Sequence, residues 1–184
     1  MGLDMYLEKR NYVKNWSHMK PDELHKVTIE KGGKKVTEIK EKRISYIVEE
    51  LAYWRKANMI HNWFVQNVQN GEDNCKSYYC DYDNLKELRD ICRAVLEKME
   101  VVTTKKEFDD YTGGECTKKE IDFRQILNIE DIEKELPTAS GFFFGGTEYD
   151  EWYIRDLEET DEVLTKLLAE EGAKSGDYYY HSSW

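Results

Sequence analysis

The chain is poor in residues that break or crosslink structure, since its 184 residues include two prolines, 11 glycines and four cysteines. Cys75, Cys80, Cys92 and Cys116 form no Cys-x-x-Cys pair and no zinc-ligand spacing, so neither a structural zinc site nor a dithiol redox site is expected. A cytoplasmic protein with reduced thiols agrees with this pattern. Cys92 lies on the apolar stripe of a predicted helix, where we expect a small buried residue.

Long apolar runs are also missing, because no window of about 18 consecutive apolar residues predicts a transmembrane helix. The first residues include Asp4 and lack the basic and apolar stretches of a secretory signal. Positive charge is in deficit as well, since 27 Lys and Arg stand against 38 Asp and Glu, a formal net charge of −11. Such an acidic protein is not expected to bind nucleic acid directly or to dock on an anionic membrane.

Aromatic residues are abundant, with five Trp, 13 Tyr and six Phe in a chain that is 40% hydrophobic. That composition requires a packed core and excludes a disordered chain. We expect one α+β domain over residues 1–184, in which a mixed, mostly antiparallel sheet packs against about three main helices. Residues 103–120 are polar and contain Gly113-Gly114, which predicts a mobile hairpin or loop.

Alternation of apolar and polar residues predicts strands at 3–7 and 178–184, and less clearly at 44–51 and 77–80. β-branched residues on both sides of Gly32-Gly33 predict an exposed hairpin. The run Phe142-Phe143-Phe144 predicts a further strand, and its rings would point to both faces, so this strand is expected in the interior of the sheet.

Helical periodicity extends from Tyr53 to about Gln69, and again over 85–99 after an N-cap at Asp81 or Asp83. A short helix is predicted around 129–136. Residues 147–150 have the form of a helix start with a capping box, so the last helix is expected to begin there and to continue to residue 172.

The segment 53–64 is the most informative of the sequence. On one continuous helix, Trp54, Asn58, His61 and Val65 share a strip at the margin of the core. An indole stacks, an amide donates and accepts hydrogen bonds, and an imidazole exchanges a proton, so this strip suits a planar polar ligand. The structural alternative is that Asn58 and His61 satisfy backbone groups of the sheet while Trp54 only packs. Arg55 and its neighbour Lys56 point elsewhere on that helix and can pair with the abundant carboxylates, so we do not assign both of them to phosphate binding.

Residues 140–147 lead from a predicted strand through Gly145-Gly146 to a helix start, an arrangement that can cradle a phosphate. They match neither common glycine-rich nucleotide motif, and the acids that follow would repel an anion. A tight turn and a close approach of helix and sheet explain the glycines better. The acids Asp4, Glu148, Asp150, Glu151 and Asp156 could include a carboxylate pair for metal binding or acid–base chemistry, with Glu148 and Glu151, or Glu148 and Asp4, as the candidates. Solvated faces and helix caps are the stronger interpretation of these acids.

Four blocks of the chain are distinctive: MGLDMYL at 1–7, YWRKAN at 53–58 with His61 and WFV at 63–65, SGFFFG at 140–145 with Tyr149-Asp150, and SSW at 182–184. Together they resemble a family of small uncharacterised bacteriophage and prophage proteins. The family has no settled activity. The resemblance therefore implies a setting, the cytoplasm of a host cell in which such proteins counter host defence, and no mechanism.

In that setting the leading hypothesis is a non-catalytic binder that captures a small nucleotide-like ligand or a host factor. The predicted ligand-binding residues are Trp54, Arg55, Asn58, His61, Tyr6, Asp4, Phe143 and Tyr149. No cofactor and no metal are expected, and a homo-oligomer is left open because unburied rings would form an exposed patch.

Two alternatives belong to other classes of protein. One is an enzyme that acts on a nucleotide or a modified base, with His61 as general acid/base and Asp4 or Glu148 as its partner. The other is an acidic mimic of nucleic acid. The mimic is disfavoured because the acids are interleaved with lysines along the chain rather than gathered in blocks.

Overall fold

The computed structural model describes residues 2–112, 115–141 and 143–184. Its strands are β1 (Asp4–Tyr12), β2 (Glu30–Lys31), β3 (Lys34–Lys35), β4 (Tyr46–Arg55), β5 (Tyr78–Cys80), β6 (Val101–Thr112), β7 (Glu115–Ile126) and β8 (Tyr178–Ser183). Its α-helices are α1 (Asn58–Asn67), α2 (Tyr82–Lys98), α3 (Ile129–Ile132) and α4 (Glu151–Leu168). The predicted α+β fold, with three main helices and antiparallel strand pairing, is confirmed.

The central sheet has four antiparallel strands in the order β4-β1-β8-β5. Strand β1 pairs with β4 on one side, where Met5 lies opposite Trp54, and with β8 on the other, where Tyr6 lies opposite His181. Strands from the two ends of the chain are thus direct neighbours. The strands predicted from alternation at 3–7, 44–51, 77–80 and 178–184 are confirmed.

The two faces of the sheet differ in burial. On β1, Met5 and Leu7 are fully buried while Tyr6 between them is partly exposed, and on β8 both Tyr178 and Tyr180 are fully buried. Burial with a period of two indicates one face in the core and one face toward water. The buried face packs with residues of α1, α2 and α4 in one continuous core.

Helix α2 forms where the sequence predicts it. Its N-cap is Asp81, whose carboxylate accepts a hydrogen bond from the Asn84 backbone N–H at 2.8 Å. The buried positions recur every three or four residues on one stripe. They are Leu85, Leu88, Cys92 and Val95. Burial raises the pKa of the Cys92 thiol, and the expected small buried residue is therefore confirmed.

The predicted continuous helix over 53–69 is wrong. Tyr53–Arg55 complete β4 in register with β1, and α1 begins only at Asn58. Between them Lys56 adopts a left-handed backbone with a φ of 65°. Exposed Tyr53 and buried Trp54 fit the strand period of two as well as a helix, and backbone pairing with β1 decides in favour of the strand.

The predicted interior strand at 142–144 is also wrong. Phe142 lies outside the described residues, and Phe143 and Phe144 are in a loop. The Phe143 carbonyl accepts a hydrogen bond from the Leu3 backbone N–H at 3.1 Å, so this loop adjoins the start of β1 without forming a ladder. The last helix is shorter than predicted at both ends, because Asp150 is its N-cap and Leu168 its last residue.

Strands β6 and β7 form a separate antiparallel ribbon that confirms a hairpin within 103–120, and its tip at 113–114 lies outside the described residues. The base of the ribbon contributes the buried side chain of Ile126, whereas Val102 and Ile121 are exposed. A two-stranded ribbon is marginally stable alone in water, so its attachment at the base matters. The hairpin predicted at Gly32-Gly33 is confirmed by β2 and β3.

Candidate functional site

A cleft of about 580 Å³ lies where the end of β4 and the start of α1 meet the 145–150 loop and the first turns of α4. Its lining residues are Arg55, Lys56, Asn58, Met59, Gly145, Gly146, Glu148, Asp150, Trp152, Tyr153 and Asp156. This volume falls within the range of small-molecule sites, about 300–1,000 Å³. The fold thus brings together two of the sequence segments that are richest in aromatic residues.

Arg55 and Lys56 supply the positive charge of the cleft. The Arg55 side chain is 63% exposed, and its Nε lies 3.9 Å from the Asp4 carboxylate, a distance and exposure that give a weak ion pair. Lys56 occupies the left-handed turn after β4, and its backbone N–H donates to the Leu3 carbonyl at 2.8 Å. Backbone strain of this kind is concentrated at functional sites, so the left-handed turn at Lys56 supports the choice of this cleft as the candidate site.

Gly145 allows the opposite loop to approach that turn. Its backbone φ is 89°, and a Cβ placed on it would lie 3.1 Å from the Cβ of Lys56. Glycine is favoured here both by the left-handed conformation and by the close contact. The interpretation of these glycines as packing residues therefore agrees with the geometry, since the contact is with the β4–α1 turn.

Asp156 supplies an acidic group on α4. Burial is the main cause that raises its pKa to about 7, and the neighbouring charges of Glu159 and Asp150 contribute to the same shift. Among the described residues, no hydrogen-bond donor or cation is paired with the Asp156 carboxylate. Asp150, in contrast, caps the helix by accepting a hydrogen bond from the Trp152 N–H at 2.9 Å. Glu148 also lines the cleft without a donor in the described part of the chain, but it is exposed, whereas Asp156 is partly buried. The Asp156 carboxylate is therefore the partly buried acid of the cleft that lacks a protein donor.

Trp152 precedes Asp156 by one helical turn, which places the two side chains on the same face of α4. Its indole is 65% exposed although it lines the cleft. The guanidinium of Arg155 lies 5.4 Å from the ring centroid. A large exposed indole beside an unpaired carboxylate is a surface that can stack a planar group and hydrogen-bond its edge.

Asn58, which is 2% exposed, adjoins the cleft, but its side-chain amide is engaged within the protein. Nδ2 donates to the carbonyls of Gly146 at 2.6 Å and Phe144 at 3.3 Å, and Oδ1 accepts from the Ala139 N–H at 3.0 Å. These bonds fasten the 139–146 loop to the start of α1. Asn58 is thus a positioning residue, in agreement with the structural alternative considered for it.

Trp54 and His61 do not line the cleft, and the predicted strip along one helix does not exist because Trp54 belongs to β4. The Trp54 indole N–H donates to the Thr160 hydroxyl at 3.0 Å inside the core. His61 is 1% exposed, with Nδ1 at 2.7 Å from the Tyr180 hydroxyl and Nε2 at 3.1 Å from Asp73.

Asp4 and Tyr6 lie on the open face of the sheet, outside the cleft. The Tyr53 hydroxyl donates to Asp4, and this hydrogen bond raises the pKa of Tyr53. The Tyr6 ring stacks on His181 with 4.8 Å between ring centroids. Asp4 approaches the cleft only through Arg55.

The remaining predicted residues support the walls of the cleft from outside it. The hydroxyl of Tyr149 accepts a hydrogen bond from the Thr138 N–H, and its ring packs 4.9 Å from that of Tyr153. Phe143 is near the start of β1 through its carbonyl. Of the eight predicted residues, Arg55 and Asn58 therefore line the cleft.

Glu151 is not paired with Glu148 as the carboxylate hypothesis required. Its carboxylate accepts hydrogen bonds from Nε and Nη2 of Arg124, both at 2.9 Å, and from Nε of Arg155 at 2.6 Å. Arg124 is the main cause that lowers the pKa of Glu151 to about 2. This 4% exposed carboxylate connects α4 to the base of the ribbon on Arg124, so its function is structural.

Sequence reasoning did not select Trp152, and it named Asp156 only among many acids. A signal was present, because Asp156 lies between Tyr153 and Leu157 on the apolar stripe of α4, where a carboxylate is costly to bury. In the described part of the chain, no group of three or more His, Cys, Asp or Glu could hold a metal ion. No helix there has the length and apolar character needed to cross a membrane.

Comparison of the chain with protein-family models, with curated proteins and with solved structures gave no match. The chemistry of the cleft is therefore inferred from its own residues.

Proposed function

We propose that this protein is a non-catalytic binder that captures a small nucleotide-like ligand in the cleft beside α4. One observation carries the proposal: two cations, Arg55 and Lys56, line the same cleft as an exposed indole and an unpaired carboxylate. A nucleotide has the complementary groups, because its phosphate pairs with cations, its base stacks on an indole, and the edge of the base hydrogen-bonds to an acceptor.

The absence of His61 from the cleft favours a binder over the enzyme alternative. That alternative used His61 as general acid/base, but both of its ring nitrogens have protein partners and the ring is 1% exposed. A general base must come within hydrogen-bond reach of the substrate proton. Arg55 and Lys56 likewise weigh against a mimic of nucleic acid at this surface, because a mimic requires continuous negative charge.

The biological setting in this proposal is a bacteriophage protein that counters host defence by sequestering its ligand in the host cytoplasm. This part is supported by the resemblance of the MGLDMYL, YWRKAN and SGFFFG blocks to phage proteins. A binder needs no turnover to act in this way, since tight capture of a signal molecule lowers its free concentration.

The proposal is tested by incubating the purified protein with a mixture of nucleotides, removing unbound material by gel filtration, and releasing the bound fraction with heat. We expect chromatography to return a nucleotide chemically unchanged. Arg55→Ala or Lys56→Ala should each weaken its binding by about tenfold, the effect of losing one charge-assisted hydrogen bond. Lys105→Ala is the matched control, because Lys105 lies on the ribbon and is exposed.

Two results contradict the proposal. Release of a product in place of the added nucleotide shows turnover and favours the enzyme. Failure of every nucleotide to be retained by folded protein, in gel filtration and in equilibrium titration, rejects nucleotide capture.

A further inference from the structure

We infer that Asp156 makes the cleft selective for nucleotides whose base presents two adjacent N–H donors, as guanine does with N1–H and its exocyclic amino group. This inference rests on the proposed function and names the ligand class that the cleft takes. It concerns the acidic side of the cleft, whereas the proposed function rests mainly on its cations.

The first step depends on the distance between the side chains of Trp152 and Asp156. Side chains one turn apart on a helix have Cβ atoms about 5–6 Å apart, comparable with the width of a purine. A base that stacks on the exposed Trp152 indole therefore has one edge within reach of Asp156. The sugar and phosphate then extend toward Arg55 and Lys56, which line the same cleft.

The chemistry of a carboxylate carries the second step. An ionised carboxylate only accepts hydrogen bonds, and its two oxygens suit two parallel donors. Guanine offers two such donors side by side. Adenine places the ring nitrogen N1, an acceptor, beside its amino group, and uracil has one N–H between two carbonyls, so each would direct a lone pair at the carboxylate.

The third step depends on the absence of a hydrogen-bond donor for Asp156 among the described residues. Among the described residues the carboxylate is without a donor, whereas Glu151 on the same helix is held by two arginines. A partly buried acceptor that lacks a donor is a cost to the folded protein. A ligand with two donors removes that cost, and a ligand without them leaves it, which is the basis of strong discrimination by buried polar groups.

The experiment compares dissociation constants of guanosine, inosine, adenosine and xanthosine monophosphates by titration calorimetry at pH 8, above the pKa of Asp156, so that its carboxyl is ionised and only accepts. We expect wild-type protein to bind the guanosine nucleotide at least about tenfold tighter than the adenosine nucleotide, the discrimination typical of one bidentate contact. The inosine nucleotide should be intermediate, because it keeps N1–H and lacks the amino group.

The variant Asp156→Asn replaces one acceptor oxygen by a donor. Binding of the guanosine nucleotide should weaken by at least about tenfold, and binding of the xanthosine nucleotide should strengthen, because xanthine has a carbonyl where guanine has the amino group. Glu162→Gln is the matched control, since Glu162 is an exposed acid on the same helix. Circular dichroism confirms that both variants are folded.

The outcomes separate the inference from the proposed function. If wild-type protein binds all four nucleotides within threefold of one another, or if Asp156→Asn leaves the order of affinities unchanged, the inference is wrong while nucleotide capture stands. If the folded wild-type protein binds none of the four nor any nucleotide of the mixture, both fail. The inference is established if wild-type protein binds the guanosine nucleotide more tightly than the xanthosine nucleotide and Asp156→Asn binds the xanthosine nucleotide more tightly.

Discussion

The hydroxyl oxygen of Tyr180 lies 2.7 Å from Nδ1 of His61, and Nε2 of the same ring lies 3.1 Å from Asp73. Because a carboxylate only accepts, we assign the ring proton to Nε2, so that Nδ1 accepts the Tyr180 hydrogen bond. Burial raises the pKa of Tyr180, which keeps this phenol protonated as a donor. Through Tyr180, His61 therefore fastens α1 to the last strand, β8. Asp73 also accepts a hydrogen bond from the Trp184 indole N–H.

We expect His61→Ala to lower the free energy of unfolding by about 3 kcal/mol, because it removes a packed ring and leaves the buried Tyr180 hydroxyl without a partner. Tyr180→Phe, which removes only the hydroxyl, should cost about 1–2 kcal/mol. Urea unfolding measures both. Folded His61→Gln should bind nucleotide as the wild type does. Lost binding at unchanged stability would instead assign His61 to the ligand site, as the sequence predicted.

Asn58→Ala should open the loop at 139–146. The substitution leaves the Ala139 N–H and the Gly146 carbonyl without their side-chain partner, a loss of about 2–3 kcal/mol. Hydrogen exchange at Ala139 should accelerate more than exchange in α2. Asn11→Ala is the control, because the Asn11 side chain bonds Glu49 on the exposed surface. Equal protection of Ala139 in wild type and variant would show that Asn58 does not hold the loop.

Local patterns were sufficient for elements whose burial has one clear period. In α2 the stripe and the Asp81 cap agree, and in β1 the alternation of buried Met5 and Leu7 with partly exposed residues is unambiguous. The β4–α1 boundary was not predictable in this way. Trp54 fits either period, and its assignment depends on pairing with Met5, a contact between distant parts of the chain.

The candidate site was predictable only in part for the same reason. Arg55 and Asn58 are in the segment 53–64, whose aromatic and polar side chains predicted a ligand site. Their grouping with Trp152 and Asp156 requires that the start of α4 pack beside the end of β4. No local signal encodes that packing, since it joins segments that are far apart in the sequence.

The ion pair of Glu151 with Arg124 should make stability depend on acidic pH. The pKa of Glu151 is lowered from 4.5 to about 2 in the folded protein, mainly by Arg124. A carboxyl with a lowered folded pKa stabilises above the unfolded value, and this contribution is lost as pH falls from 4.5 toward about 2. The contribution is about 2–3 kcal/mol at neutral pH.

Glu151→Gln should therefore lower stability at pH 7 and flatten the acid limb of a plot of stability against pH. Glu158→Gln is the matched control, because Glu158 bonds the same Arg124 from an exposed position and should change stability by less than about 1 kcal/mol. Parallel acid limbs for wild type and Glu151→Gln would show that the ion pair does not supply this stability.

The ribbon of β6 and β7 should be dispensable above its base. A variant in which Asn-Gly replaces residues 105–122 keeps Arg124 and the buried Ile126, the two attachments described above. We expect its unfolding free energy to stay within about 1 kcal/mol of wild type, because exposed loop and ribbon tips tolerate such changes. Nucleotide binding should be unaffected as well. A shortened protein that fails to fold would show that the outer ribbon contributes to the core.

Asp156→Asn should stabilise the protein at the same time as it impairs the proposed recognition of guanine. The carboxyl ionises at 3.8 when unfolded but only at about 7 when folded, mainly because of burial. Above pH 3.8 the folded state therefore bears a cost that grows until about pH 7 and is then constant. Allowing for solvent screening, the variant should gain about 2 kcal/mol at pH 8 and nothing at pH 3.5, as measured by urea unfolding. An unchanged stability at pH 8 would mean that the carboxylate is solvated in the cleft. A gain in stability with a loss of binding is the pattern expected of a residue retained for function, because the charge of Asp156 destabilises the ligand-free folded protein.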